Sequence, residues 1–441
     1  MEDVYGEVRS SETIRGLTAR YDVALLPNVD LELLGSYAHR AIEYTDAAKW
    51  VYDWFGRRVN RRRTSAEANE EPEDNREWEQ GMFARGALAW TLSTGHVLRA
   101  VISPHLTRRT GDELIQATPT AFDPLVAKNQ LLTLVSGLEY ESSFLGERLS
   151  NVAFVKDYVY ETRTSEPQQA TEHFVDLNIS VHRLGFGDSL RYRFAPWLLA
   201  KASYELATRL PEPDEVFGDA QQSAPNLRLQ PETSHNANVG PRFELNRSAI
   251  GQLAVDVNAF LRETDQQIIL LGGETRSIHQ NVYGASSRGL EGSTTWSAVR
   301  RMVNLEATLT WQDLRNTSNE GVFADFEGDP IPNRPHLFGS WGAGVQVGKL
   351  VGTGEQVELF YSGRYVHEFF RSWESAGVRS SKQLIAAQTT HDAGVTWSVK
   401  NRYARVASTL EVDNFTDAKV YDEFGVQRPG RAVYLKVSGE L

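Results

Sequence analysis

The sequence predicts an all-β fold: a transmembrane, antiparallel, up-and-down β-barrel with about 17 strands present. Three observations carry this reading. Apolar and polar residues alternate with a period of two in segment after segment, as in strands with one apolar and one polar face. The connections between these segments alternate between short turns and long polar loops, as in barrels with periplasmic turns and extracellular loops. Aromatic residues Tyr37, Tyr204, Trp311 and Tyr365 sit on the apolar parity where strands enter the long loops, the place of an interfacial girdle.

The elements follow in chain order. A first strand over about 12–25 precedes a short turn and therefore runs inward. Leu31, Leu33, Gly35 and Tyr37 then oppose Asp30, Glu32 and Ser36. Met82, Ala84, Leu88, Trp90 and Leu92 share one parity, and Leu132, Leu134, Leu138 and Tyr140 another. In 198–245 a strand carries Leu198, Ala200, Ala202, Tyr204 and Leu206 on one face, a proline-punctuated loop follows, and a second strand begins near Ser234. Leu253 to Leu261, Val303 to Trp311, Val357 to Tyr365, Val406 to Val412 and Val433 to Leu441 repeat the alternation. Short turns are expected near Pro27, Gly95, Gly146, Pro196, Asn246, Arg300, 348–354 and Asn401. Long loops are expected at about 47–80, 106–128, 163–173, 211–233, 263–280, 313–334, 367–384 and 415–430.

Composition bounds the function. With 41% hydrophobic and 24% charged residues, no stretch approaches the ~18 apolar residues of a spanning helix, whereas barrel strands need only ~9–11 residues with half facing inward. The net charge of −12 disfavours nucleic-acid partners, and zero cysteines exclude disulfides and thiolate metal sites. The N-terminus lacks the apolar core of a signal peptide. Catalytic signals are poor: His367-Glu368 has no second histidine at H-E-x-x-H spacing, Gly185-Phe186-Gly187 is followed by Leu190 where a third glycine is needed, and no G-x-S-x-G occurs. No enzyme, cofactor, catalytic residue or metal site is expected.

Four segments resemble TonB-dependent outer-membrane receptors. Arg209-Leu210-Pro211, Asn226-Leu227 and Pro231-Glu232-Thr233-Ser234 resemble an R-x-P, N-x-x-L, K-P-E-x-S series, with Gln230 in place of the usual Lys. Asn281 with Arg288-Gly289-Leu290-Glu291 is similar to the N…R-G-x-E strand. Asn333-Arg334-Pro335-His336 is similar to N-x-P-x-H with one residue fewer before the His, and Asn414-Phe415-Thr416-Asp417, Tyr421 and Pro429-Gly430-Arg431 to the last-strand signature. The terminal Leu441 departs from the usual Phe, and the plug domain and TonB box have no counterpart. The resemblance covers 196–441 by motif and 12–195 by pattern.

The resemblance implies a bacterial outer-membrane receptor or transporter barrel of 22 strands, for energised uptake of a scarce ligand such as a siderophore or similar nutrient. It further implies that 1–441 is one barrel domain, N-terminally incomplete. Implied partners are a plug domain and TonB in the intact protein, the barrel assembly machinery, outer-membrane lipid and lipopolysaccharide. A passive porin-like channel is the alternative, and an outer-membrane hydrolase or a soluble β protein a third. For Arg209, Glu232 and Arg431 the expected role is salt-bridging within the wall, with contact to a plug as the other reading. The candidate ligand loop, 47–80, carries Trp50, Tyr52 and Trp54 followed by Arg57, Arg58, Arg61, Arg62 and Arg63. Aromatics and arginines together suit an anionic, partly aromatic ligand. A self-neutralising loop, or one touching lipopolysaccharide, is the other reading.

Overall fold

In the computed structural model the residues described are 8–46, 50–52, 58–60, 75–113, 126–168, 173–218, 223–247, 249–272, 277–298, 302–321, 323–348, 354–375, 384–400, 402, 404–421 and 428–440. Seventeen long strands form one meander: β1 (Val8–Leu26), β2 (Val29–Asp46), β3 (Asn75–Ser93), β4 (His96–Glu113), β5 (Asn129–Phe144), β6 (Leu149–Gln168), β7 (His173–Ala195), β8 (Leu198–Arg209), β9 (Glu232–Arg247), β10 (Gly251–Gly272), β11 (Ser277–Ser297), β12 (Val303–Asn316), β13 (Leu337–Gly348), β14 (Glu355–Val366), β15 (Gln388–Lys400), β16 (Arg405–Asp413) and β17 (Ala432–Glu440). Each pairs antiparallel with the next, and a two-residue strand, Ser223–Ala224, adds in parallel to β11 to complete an 18-stranded sheet. Among the described residues no helix is long and apolar enough to cross a membrane.

The period-two pattern becomes two chemically distinct faces. The outward face carries exposed apolar side chains, including Leu17, Leu184, Leu290 and Leu435. Such exposure is costly in water and stable in a hydrocarbon solvent. The inward face is polar and internally paired. Arg85 binds Glu32 at 2.8 Å, Arg99 binds Glu139 and Glu141 at 2.7 and 2.8 Å, Lys156 binds Glu205 at 2.8 Å, and Lys201 binds Asp256 at 2.7 Å. Tyr37, Tyr204, Trp311 and Tyr365 share the outward parity. One local break is physical: the β9–β10 register lapses at Gly240-Pro241. A Cβ at Gly240 would lie 1.8 Å from the Val257 carbonyl oxygen, and Pro241 has no N–H to give the ladder.

Among the described residues the short turns near Pro27, Gly95, Gly146 and Pro196 lie where the sequence places them, while those expected near Arg300, 348–354 and Asn401 fall largely outside the described residues. Strand also reaches into the expected loops 47–80 (from Asn75) and 106–128 (to Glu113), and the long connections differ most at two places. Segments 163–173 and 263–280 are mostly strand, because β6 and β7 continue to Gln168 and from His173, while β10 and β11 continue to Gly272 and from Ser277. Their β-branched residues Thr164, Thr264, Ile268 and Ile269 favour the extended chain, and their polar alternation reads as loop. β7 has 23 residues and β10 has 22, against 9 in β16 and β17. A tilted strand of ~9–11 residues crosses a bilayer, so the long hairpins project beyond the apolar band. Two apolar clusters lie at this projecting end rather than in the wall. One joins Leu131, Tyr160 and Val181 to Val216, Phe217 and Leu229, and the other gathers Ile269, Val282, Phe323, Ile331 and Trp373.

Candidate functional site at the outer mouth

The connection between β8 and β9, described at 210–218 and 223–231, folds inward across the lumen. It contains a one-turn helix, α1 (Pro213–Phe217), with a proline at its start and Glu215 accepting the Glu212 N–H at 2.8 Å. Gly218 turns the chain at φ 77°, where a Cβ would meet the Ser223 carbonyl oxygen at 2.4 Å. Arg209 donates to Glu215 at 3.0 and 2.9 Å and to Glu232 at 2.9 Å. Burial alone would lower the Arg209 pKa, but the bonds to Glu232 and Glu215 outweigh it and raise it. Glu232 also accepts the Ile268 N–H at 2.7 Å. The segment is therefore locked at its base to β8, β9 and β10.

Its far side is held by the opposite stretch of wall. Asp214 pairs with Arg109 of β4 and lies 3.7 Å from Arg40 of β2. The Arg109 side chain is only 5% exposed and also binds Glu79 of β3 and the Gly218 carbonyl oxygen. Its guanidinium lies 5.6 Å from the Phe217 ring. Tyr160, fully buried, donates to the Leu229 carbonyl oxygen at 3.3 Å. At the other end Asn226 Nδ2 donates to the His279 carbonyl oxygen at 2.8 Å, and Asn281 exchanges two bonds of 2.9 Å with the Gln230 backbone. Arg40, Glu79 and Arg109 share the inward parity. A segment touching them and β11 must run along the luminal side, so this strap covers the outer mouth from β4 to β11.

The other half of the mouth is a cavity of about 660 Å³ over the inward faces of β12–β17. Arg334, Arg364 and Arg428 line it, together with Asp392, Phe369 and Tyr421. Asp392 accepts from Ser362 Oγ at 3.2 Å and from the Asn414 N–H at 2.7 Å. Asn414, at φ 45°, closes a turn by bonding both backbone groups of Ala418, at 2.8 and 2.9 Å. Asp417 accepts the Arg431 N–H at 2.9 Å and sits where a Cβ on Gly430 would meet its Oδ1 at 2.6 Å. Asn333 donates its N–H to the Phe370 carbonyl oxygen at 2.8 Å, and Pro335 accepts from Gln312 at 3.0 Å.

The structure thus gathers Arg209, Pro211, Asn226, Pro231 and Glu232 at the base of the strap. It gathers Asn333, Pro335, Asn414, Gly430 and Arg431 around the cavity rim. Of the candidate ligand loop, Trp50, Tyr52 and Arg58 fall on a small ladder in which Trp50–Tyr52 pairs with Arg58–Asn60, Tyr52 opposite Arg58. Trp54, Arg57, Arg61, Arg62 and Arg63 lie outside the described residues. Sequence reasoning missed Arg109, Asp214 and Tyr160. Their parity and positions near strand ends were visible, but nothing local linked Arg109 to a partner 105 residues away. Among the described residues no group of three or more His, Asp or Glu is arranged to hold a metal.

Residues 160–415 match the family model described as TonB dependent receptor-like, beta-barrel. No curated protein sequence matches. Among solved structures, BauA, the ferric preacinetobactin receptor of Acinetobacter baumannii, superposes with a TM-score of 0.67 at 14% identity, covering 98% of this chain and 63% of that one. The siderophore receptor PiuA of the same organism gives 0.68 at 13% identity, over 98% and 64%. The copper transporter OprC gives 0.67 at 13% identity, over 96% and 64%. At these identities the likeness is one of fold. The chain spans less than two thirds of the length of each neighbour.

Proposed function

Because this chain belongs to the TonB-dependent receptor β-barrel family, we propose that it forms the outer-membrane wall of a receptor that takes up a scarce ligand, such as a siderophore or similar nutrient, with energy delivered through TonB. The family is one of transporters rather than enzymes. The observation that carries the reading is the seventeen-strand meander with an apolar outward face and an ion-paired inward face. That inversion of the soluble pattern suits a wall between lipid and an aqueous or protein-filled lumen. BauA is named as a ferric preacinetobactin receptor, PiuA as a siderophore receptor and OprC as a copper transporter, which supports a chelated metal as the ligand class.

The barrel domain of the intact protein would be larger than 1–441, with 22 strands and a plug that meets TonB. In an antiparallel meander of seventeen strands the first and last run the same way, so closure by antiparallel pairing needs an odd number of further strands. The aromatics and arginines of 50–63 would act as an outer lure for the ligand, upstream of the cavity rimmed by Arg334, Arg364 and Arg428. Lipopolysaccharide would surround the outer rim, and the barrel assembly machinery would insert the strands.

Uptake tests this directly. Residues 1–441, joined to the plug-bearing segment of a family member in a receptor-deficient cell, should restore growth on a chelated metal and lose it when TonB is deleted. The 441 residues alone should not restore it. Growth that survives TonB deletion would favour the passive channel instead.

A further inference from the structure

Two strand ends at the rim of the cavity bring together side chains that the transport reading does not use. His336 directly precedes β13, and His367 directly follows β14. These strands pair antiparallel, with Phe338 opposite Val366, so the two histidines meet where the ladder stops. Their imidazole rings lie 4.3 Å apart, centre to centre, at an angle of 53°. The ladder holds both backbones. The His336 carbonyl oxygen accepts the Gln312 N–H at 2.8 Å, and the His367 N–H donates to the Leu337 carbonyl oxygen at 2.9 Å. Pro335 stiffens the chain before His336, and its carbonyl oxygen accepts from Gln312 Nε2 at 3.0 Å. His336 is exposed and His367 half-buried, next in sequence to Pro335 and Val366 of the cavity wall.

The ring nitrogens can take a ligand. Among the described residues those of His336 hydrogen-bond to no other group, and His367 Nδ1 has one long contact, 3.4 Å, with the Glu368 carbonyl oxygen. A carbonyl oxygen only accepts, so Nδ1 carries the proton there and Nε2 presents its lone pair. Tyr365 packs edge-on against His367 at 6.2 Å and limits the swing of the ring. The nearest charges in sequence, Arg334 and Glu368, are of opposite sign, so affinity rests on the imidazole lone pairs rather than on net charge. An imidazole nitrogen binds a divalent transition metal at about 2.0–2.1 Å, which puts each ring centre roughly 3.2 Å from the metal. Two centres 4.3 Å apart then subtend about 85° at it. A near-right angle suits the tetragonal coordination of Cu(II), whereas tetrahedral Zn(II), at about 109°, needs centres roughly 5.2 Å apart.

We propose that His336 and His367 form a two-histidine coordination site for a cupric ion at the outer mouth. The chain supplies two adjacent positions, and water or the donor atoms of a small chelator fill the others. Cu(II) also stands highest in affinity for such nitrogen ligands among the divalent first-row metals. No ligand spacing marks the pair in the sequence, because the two histidines meet only through the β13–β14 register. The site goes beyond the transport reading. It needs only the two strand ends, so its failure and the failure of energised uptake are separate results.

The full chain, folded in neutral detergent, is titrated with copper(II) chloride by calorimetry, and the loaded chain is read by electron paramagnetic resonance. Wild type should bind a single cupric ion tightly, with an axial spectrum split by two imidazole nitrogens. The variant H336F/H367F keeps two aromatic rings in contact and removes the nitrogens. It should bind roughly a hundredfold more weakly, and each single variant nearly as weakly, because one histidine presents the metal to the other at high effective concentration. The variant H173Q/H182Q, at two exposed histidines of β7, should leave affinity and spectrum unchanged. Zinc chloride should bind more weakly than the copper salt. Equal copper binding by wild type and H336F/H367F overturns the proposal, as does a spectrum without nitrogen splitting or one lost in H173Q/H182Q. Circular dichroism reads folding of every chain, and H336Q/H367Q, which keeps the polarity of the rim, must show the same loss as the Phe pair. A folded wild-type chain that binds no copper overturns the site while leaving the receptor reading standing.

Discussion

Arg109 shows how a single buried cation fixes a functional surface. It satisfies Glu79 on its own wall, Asp214 on the strap and the Gly218 carbonyl oxygen. Removing one partner from a buried pair costs about 3–5 kcal/mol. Asp214 is 53% exposed, so solvent screening brings the expected loss for Arg109→Gln to about 2 kcal/mol. The loss should fall on the strap rather than on the wall, whose ladders do not involve this side chain. Amide exchange at Asn226, whose N–H donates to the Val216 carbonyl oxygen at 2.9 Å, should accelerate roughly thirtyfold, while β8 stays protected. Unchanged exchange at Asn226 would mean that Arg109 is not the pin. Arg209 and Glu232 were legible in the sequence because their spacing repeats a known series. Arg109 and Asp214 were not, because an ion pair across a lumen leaves no local spacing to read.

At the scale of elements, strands were legible and inward folding was not. Alternation marks a strand wherever one face meets lipid and the other a polar lumen, and β12 shows it without interruption from Val303 to Trp311. It fails where strands project beyond the membrane, because both faces of the β6–β7 and β10–β11 extensions meet water or loops. A polar loop also gives no sign of which way it folds. For 210–231 the sign lay in Leu210, Val216, Phe217, Leu227 and Leu229, apolar residues in a polar segment that need a cover and find one in Leu131, Tyr160 and Val181. The covering can be measured, because the chain has no cysteine and one introduced thiol is a clean probe. Thr107, on the inward parity of β4, is 2% exposed. Thr107→Cys should resist a water-soluble maleimide in the full chain and react readily once 213–229 is replaced by a short Gly/Ser linker. Equal reactivity in both would show that the strap does not shield this wall.

For the whole molecule, direction of travel decides what the sheet can join. β1 and β17 each bond one neighbour among the described residues, β2 and β16 respectively, and both run toward the short-turn side. Pairing β1 to β17 would be parallel, in a sheet whose wall is antiparallel throughout. A second copy in the same membrane orientation faces the same obstacle, since its edges also run inward. In lipid an unpaired backbone amide costs several kcal/mol, so the two edges are the least stable lines of the wall. Residues 1–441 folded alone in detergent should therefore show a distinct exchange pattern. Alternate amides of β17, those pointing away from β16, should exchange within the fast phase, while every second one is protected with β16. The amides of β8, bonded on both sides by β7 and β9, should be uniformly slow. Supplying an odd number of antiparallel strands, through the upstream part of a family barrel, should bring the fast β17 amides into the slow class. Uniform protection of β17 in the 441 residues alone would show that its edge is already paired, and the odd-strand argument for a larger barrel would fall.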